Sequence, residues 1–146
     1  DYAVTGVQTC ALPISSPTLL PIVRDDPAEL AGALVSALDW AEMVVVNAGS
    51  SAGSEDYTAR VVRDLGQLLV HGVATRPGKP TILGVARGKP LIGLPGYPVS
   101  AYLALEWFAR PLLYRYFGQS MPEGPGYGRC LGGGSSRRRG SRSSSA

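Results

Sequence analysis

The chain has 146 residues, of which 45% are hydrophobic and 17% charged, with a formal net charge of +3. That length supports one domain with a core of ordinary size, and no uninterrupted apolar run approaches the ~20 residues needed to cross a bilayer, so no membrane partner is expected. Five of the fourteen basic residues (Arg129, Arg137, Arg138, Arg139 and Arg142) lie beyond residue 126; with Asp1 also set aside, the body carries nine basic against ten acidic residues. Such a body has too little positive field to hold a phosphate backbone by charge, which argues against a nucleic-acid partner.

Residues 4–15, VTGVQTCALPIS, lack the basic leader of a secretion signal, and only Ala11, Leu12 and Ile14 are strongly apolar. The stretch closely resembles the translation of a sequencing-library adapter found at the ends of environmental gene fragments. Residues 1–15 are therefore expected to be an unstructured artefact, with the domain spanning 16–118. At the other end, 119–146 closes in CLGGGSSRRRGSRSSSA, a composition that cannot bury enough apolar surface to offset the entropy of ordering. Disorder is expected from about Gly124 onward; a solvated tail or an out-of-frame read is favoured over an RNA-binding arm. Cys10 and Cys130 fall in these end segments, which suggests neither a disulfide framework nor a thiolate metal site and fits a reducing, cytoplasmic setting.

Between the ends, the pattern predicts β-α-β-α-β-β-β-α. Residues 18–25, TLLPIVRD, read as a strand at an edge because of Pro21. Asp26, Pro27 and Glu29 supply an N-cap, a first-turn proline and a carboxylate three residues on. Leu30, Ala33, Leu34, Ala37, Leu38 and Ala41 then place one apolar face on a helix. Met43 to Val46 read as a short strand buried on both faces. Tyr57, Val61, Val62 and Leu65 mark a second helix, with Gly66 placed to end it. Leu68 to Val73 is the next strand, Thr81 to Val85 and Pro90 to Leu94 form a hairpin turned at Arg87-Gly88, and Pro98 to Phe117 is a closing helix that Pro111 should break or bend near Arg110 and Gly118 should end. The fold class is α/β: three layers, a mainly parallel sheet with helices on both faces, and a late antiparallel hairpin.

Three segments carry chemistry. NAGSSAGSED, residues 47–56, joins an apolar strand to a helix: Gly49 and Gly53 let backbone approach a ligand, Ser50, Ser51 and Ser54 offer hydroxyls, and the helix start favours an anion. A tight turn with Ser54 as N-cap is the structural alternative. LIGLPGYPVSA, residues 91–101, repeats the design, with Gly96 in the Pro-Gly turn and Ser100 in the opening helical turn. Between them, RPGKP at 76–80 holds Arg76 and Lys79 among Pro77, Gly78 and Pro80, so these cations lose less entropy on binding an anion than mobile surface cations do. A charged hairpin turn is the alternative there. Asp56 has a structural default in the first turn of its helix, but beside a phosphate-rich ligand it could hold Mg²⁺. His71 has no partner in the sequence and reads as structural. Tyr102, Trp107, Phe108, Tyr114 and Tyr116 read as core or subunit contact.

Taken together these segments resemble the molybdenum-cofactor-binding, MogA/MoaB-like domain of the MoeA family, the molybdopterin molybdenumtransferases, over about residues 17–118. The family pattern G-G-x-S-x-G-x-x-D is approached by Ala48, Gly49, Ser51, Gly53 and Asp56, R/K-P-G-K-P by Arg76 to Pro80, and G-L-P-G-N-P-V-S-A by Gly93 to Ala101. Ala48 stands for a glycine, Tyr97 for the asparagine, and Gly72 where a lysine is often found. The match is most similar to a prokaryotic subgroup fused to a periplasmic-binding-like domain. The chain is accordingly read as a fragment without that domain, incomplete at the N-terminus where a strand and helix with an acidic Gly-Asp-Glu motif are expected.

The resemblance implies insertion of molybdate into adenylylated molybdopterin with Mg²⁺ and release of AMP, in a cytoplasmic protein that is a homodimer when full length. Asp56 and Lys79 are implied as catalytic, Asp56 also as the metal ligand. Gly49, Ser50, Ser51, Gly53, Arg76, Gly96 and Ser100 are implied to bind substrate, and the fragment alone is expected to bind weakly or not at all and to be inactive. The alternative is a non-catalytic pterin- or nucleotide-binding or assembly module of the same fold.

Overall fold

The computed structural model describes residues 15–24, 26–47 and 54–121, the side chains of 54–56 excepted. Helix α1 spans Pro27–Trp40. Asp26 begins it as expected: its Oδ1 accepts from the backbone N–H of Ala28 and of Glu29, each at 2.9 Å, which satisfies two of the amides a helix start leaves without partners. Strand β1 is Val44–Asn47 and α2 is Ser54–Leu65. Strands β2 (Gly66–His71), β3 (Ile82–Ala86) and β4 (Lys89–Leu94) follow. The chain then runs through α3 (Pro98–Ala104), a π-helical turn (Leu105–Ala109) and α4 (Arg110–Tyr116).

The four strands form one sheet in the order β1-β4-β3-β2. β1 pairs with β4 in parallel, while β3 is antiparallel to both β4 and β2, so three of the four strands point the same way. Alternation along each strand builds two cores. One joins Leu34, Ala37 and Leu38 of α1 and Ala59, Val61 and Val62 of α2 to Val44, Ile82, Ala86 and Leu91. The other joins Ala104, Leu105 and Ala109 to Ile92 and Leu94, with Val45, Leu83 and Phe108 packed against them. Val44 and Val45 thus face opposite helical layers, as do Leu91 and Ile92, because side chains alternate across a strand. The expected three layers are present. The hairpin also stands where expected: Arg87 and Gly88 both have positive φ, 51° and 74°, the combination whose twist suits a two-residue connection.

Four expectations need correction. Residues 18–24 are not in a strand, and Leu19 and Ile22 are exposed. A strand requires a ladder partner, and among the described residues none lies beside this segment. Second, β2 begins at Gly66 and ends at His71 rather than running 68–73; α2 ends just before Gly66 as expected, and Gly66 also opens the strand. A Cβ at Gly66 would sit 2.2 Å from the Val85 carbonyl oxygen, so only glycine lets helix pass straight into strand there. Third, Pro111 does not end the closing helix, and the irregularity expected near Arg110 takes the form of the π turn Leu105–Ala109. The π turn just before it moves the Arg110 amide onto the carbonyl of Leu105, five residues back, and this local widening accommodates the missing donor and the ring. Fourth, with residues 18–24 unpaired, the order of elements starts at α1.

Gly118 ends the helix as expected. It has φ +64°; its N–H donates to the Arg115 carbonyl at 3.1 Å and the Gln119 N–H to that of Tyr114 at 2.8 Å, a paired closure of the last turn.

Candidate functional site

The register of the sheet decides where the chemistry-bearing segments lie. Val46 pairs with Gly93, Gly93 with Ile82, and Ile82 with His71, giving one row across all four strands near the carboxyl ends of β1, β4 and β2. Asn47 and Leu94 are partners one step further on. Consequently the chain leaves β1 toward 48–53, leaves β4 toward 95–97, and travels from β2 to β3 through 72–81, all at the same end of the sheet. In open α/β sheets this end is where ligands gather, because the connections are free to vary while the strands hold them in place.

The 72–81 connection is built from short internal bonds. The Gly72 N–H donates to the Thr81 carbonyl at 2.9 Å, the Val73 N–H to the Lys79 carbonyl at 2.8 Å, and the Thr81 N–H to the Gly78 carbonyl at 3.2 Å. The buried Thr81 hydroxyl donates to that same Gly78 oxygen at 2.7 Å. Residues 76–80 form the expected turn, with a cis bond between Arg76 and Pro77. Gly78 has φ +114°, and a Cβ there would meet Thr75 Oγ1 at 3.3 Å and the Trp107 ring at 3.8 Å. Arg76 and Lys79 remain exposed on either side of buried Gly78. Backbone and glycine thus face inward while two guanidinium and ammonium groups face water, an arrangement able to meet an anion with little ordering cost.

The 95–97 loop differs in texture. Pro95 is buried, Gly96 is partly exposed, and Tyr97 is 71% exposed. Tyr97 occupies the N-cap position of α3, makes no side-chain cap bond, and is followed by Pro98 in the first helical turn. Ser100 is buried, at 7% exposure.

Gly49, Ser50, Ser51 and Gly53 lie outside the described residues, and Asp56 is placed only by its backbone, in the first turn of α2. The structure therefore brings the described parts of two motifs, Arg76 with Lys79 and Gly96 with Ser100, to one end of the sheet where β1 also ends. His71 ends β2 there, exposed. Among the described residues no three His, Cys, Asp or Glu side chains gather as a metal site. Two surface grooves, one of Leu20 to Val23 against α1 and one between α1 and α2, lie elsewhere on the molecule.

Sequence reasoning overlooked Thr81, Thr75 and the role of Trp107 in seating this connection. Thr75 Oγ1 is buried without a hydrogen-bond partner. A threonine directly after a Gly-Lys-Pro turn was the available signal for Thr81, since hydroxyl side chains close turns onto nearby carbonyls. Nothing in the spacing marks Thr75, because its burial depends on a helix thirty residues away. Of the closing-helix aromatics, Phe108 packs in the second core, while Tyr102 and Tyr116 are 49% and 62% exposed.

Over residues 15–115 the chain matches the family described as "Probable molybdopterin binding domain". The chain belongs to that family. The chain is similar to the crystal structure of the molybdopterin biosynthesis MoeA protein from Pyrococcus horikosii, with 42% identity and a TM-score of 0.61 over 66% of this chain and 24% of that one. It is 33% identical over 106 residues to the molybdopterin molybdenumtransferase of Haemophilus influenzae, covering 73% of this chain and 26% of the relative. A molybdenum cofactor biosynthesis protein from Pyrococcus furiosus, 22% identical with a TM-score of 0.59 over 80% of this chain and 37% of that one, shares the fold. The molybdopterin-binding domain described here spans about a quarter of the length of the curated relatives it matches.

Proposed function

We propose that this domain serves a molybdopterin molybdenumtransferase in molybdenum cofactor biosynthesis, where a longer chain inserts molybdate into adenylylated molybdopterin and releases AMP. The observation that carries the reading is topological: in a chain of this family, the segments holding Gly49 to Asp56, Arg76 to Lys79 and Gly96 to Ser100 all leave one end of the sheet. Arg76 and Lys79 supply positive charge for the substrate's phosphoryl oxygens, and the glycine-rich segment with Ser50, Ser51 and Gly53 supplies donors close to backbone. The contribution to rate is electrostatic: fixed cations stabilise negative charge as it grows on the leaving phosphate.

Magnesium would be held by Asp56 together with substrate oxygens and water, the coordination Mg²⁺ prefers. When bound it would act as a Lewis acid on the phosphoanhydride. The protein's own part is to hold the phosphates with Lys79 and Arg76 and to keep Asp56 at the start of α2. In the full-length protein, Asp56→Asn should abolish Mg²⁺-dependent AMP release while pterin binding remains detectable. Release at the wild-type rate in that variant refutes the metal role.

A second reading, a non-catalytic pterin- or nucleotide-binding or assembly module, is favoured by Gly72. Its φ of +90° is a conformation in which a side chain is strained, and a Cβ there meets the Lys79 carbonyl at 3.3 Å, so the lysine of the resembled pattern could not be restored without moving the cationic turn. Unchanged pterin affinity with no AMP release from any full-length form would support this module over the transferase.

A further inference from the structure

Tyr97 stands out among the large apolar side chains of the described residues because it is both open and placed at the functional end of the sheet. Its exposure, 71%, is the highest among the described aromatic side chains, and its side chain makes no cap bond to the helix it precedes. No ring contact or hydrogen bond among the described residues engages its side chain. Gly96 before it and Pro98 after it set the backbone: Tyr97 is extended, with φ −80° and ψ 130°, and proline disfavours the helical alternative for the residue preceding it. The ring therefore projects from a fixed base, three residues beyond Leu94. Lys79 lies three residues before Ile82, and Ile82 and Leu94 sit on adjacent strands whose paired row is Ile82 with Gly93. Neighbouring strands are about 4.8 Å apart, so the Tyr97 loop and the exposed Lys79 turn leave adjacent strands at the same end of the sheet.

Leaving so large an apolar ring in water without packing costs burial that the fold forgoes. A ligand with an anionic part and a flat heterocyclic part would recover it, because a base or pterin ring stacks on an aromatic face irrespective of its hydrogen-bonding pattern. We propose that Tyr97 is a ligand-binding residue: its ring stacks on the planar heterocycle of a phosphorylated ligand whose anionic group is held by Lys79 and Arg76. This rests on the reading of the 76–80 turn as an anion site and adds to it the part of the ligand that is recognised by stacking.

The test compares two probes that share a phosphate but differ in the flat ring, adenosine 5′-monophosphate and ribose 5-phosphate, titrated in the millimolar range into the 146-residue chain and followed by NMR. Wild type should bind the nucleotide more tightly than the sugar phosphate, roughly ten-fold for one stacked ring. Tyr97→Leu should erase that preference while leaving ribose 5-phosphate affinity unchanged, and Tyr97→Phe, which keeps the face and loses the hydroxyl, should retain it. Lys79→Ala should weaken both probes alike. A preference undiminished in Tyr97→Leu overturns the stacking role and leaves the anion site standing. Equal affinities in wild type also overturn it. Both probes unaffected by Lys79→Ala, or neither binding to wild type, overturns the anion site and with it this proposal.

Discussion

At the hairpin end of the sheet, Arg87 forms an ion pair with Asp39 of α1 and Lys89 Nζ donates to the Leu38 carbonyl at 2.6 Å. At the opposite end, Arg76 and Lys79 sit on a connection of similar composition, yet both are exposed and neither has an ion pair among the described residues. The two pairs are chemically alike and differ in what surrounds them. Lys89 meets the last turn of α1, where unpartnered carbonyls and the negative end of the helix attract a cation. Arg76 and Lys79 are turned outward by a backbone whose inward groups are already bonded to one another through Gly72, Val73, Gly78 and Thr81. Cations that close a helix belong to stability, whereas cations held outward by a self-bonded turn are available to a ligand.

The severest way to break that contrast is to unseat the outward turn. Gly78→Val places a branched side chain at φ +114° and against Thr75, which should cost about 3 kcal/mol of stability, read by urea unfolding, and remove binding of the phosphorylated probes. Less than about 1 kcal/mol would mean that the turn relaxes easily and does not hold its cations in place. The sharper comparison pairs two lysines. Lys79→Ala should lower ligand affinity by about 2 kcal/mol and stability by less than about 0.5, while Lys89→Ala should lower stability by about 1 kcal/mol and leave affinity alone. If the two variants behave alike, the division of roles fails. The smallest effect belongs to Arg87→Ala. With side chains 49% and 63% exposed, its pair with Asp39 should contribute about 0.3 kcal/mol, and molar salt should erase the difference between variant and wild type.

Much of this was legible in local sequence. Asp26-Pro27 fixed a helix start, Arg87-Gly88 a two-residue turn, and the apolar spacing of α1 and α2 the faces they bury, because each depends on residues within one or two turns of chain. The RPGKP turn was legible for the same reason. Misreadings arose where a distant partner decides. TLLPIV has strand composition, but no described strand pairs with it; Gly66 does follow the end of α2 as read, but the close approach of the Val85 carbonyl nineteen residues on was not visible. The break or bend expected near Arg110 takes the form of a π turn, an option that spacing does not display. The burial of Ser100 was likewise not visible in the sequence, since it depends on how α3 lies against the sheet.

The order of motifs, the rigid turn and the membership of this domain in a molybdopterin-binding family were contained in the residues themselves, since proline, glycine and capping side chains act on their neighbours. Which segments meet was contained in the pairing of β1 with β4, strands more than forty residues apart. That choice balances burial on both faces of the sheet for the whole chain at once, and no local stretch encodes it.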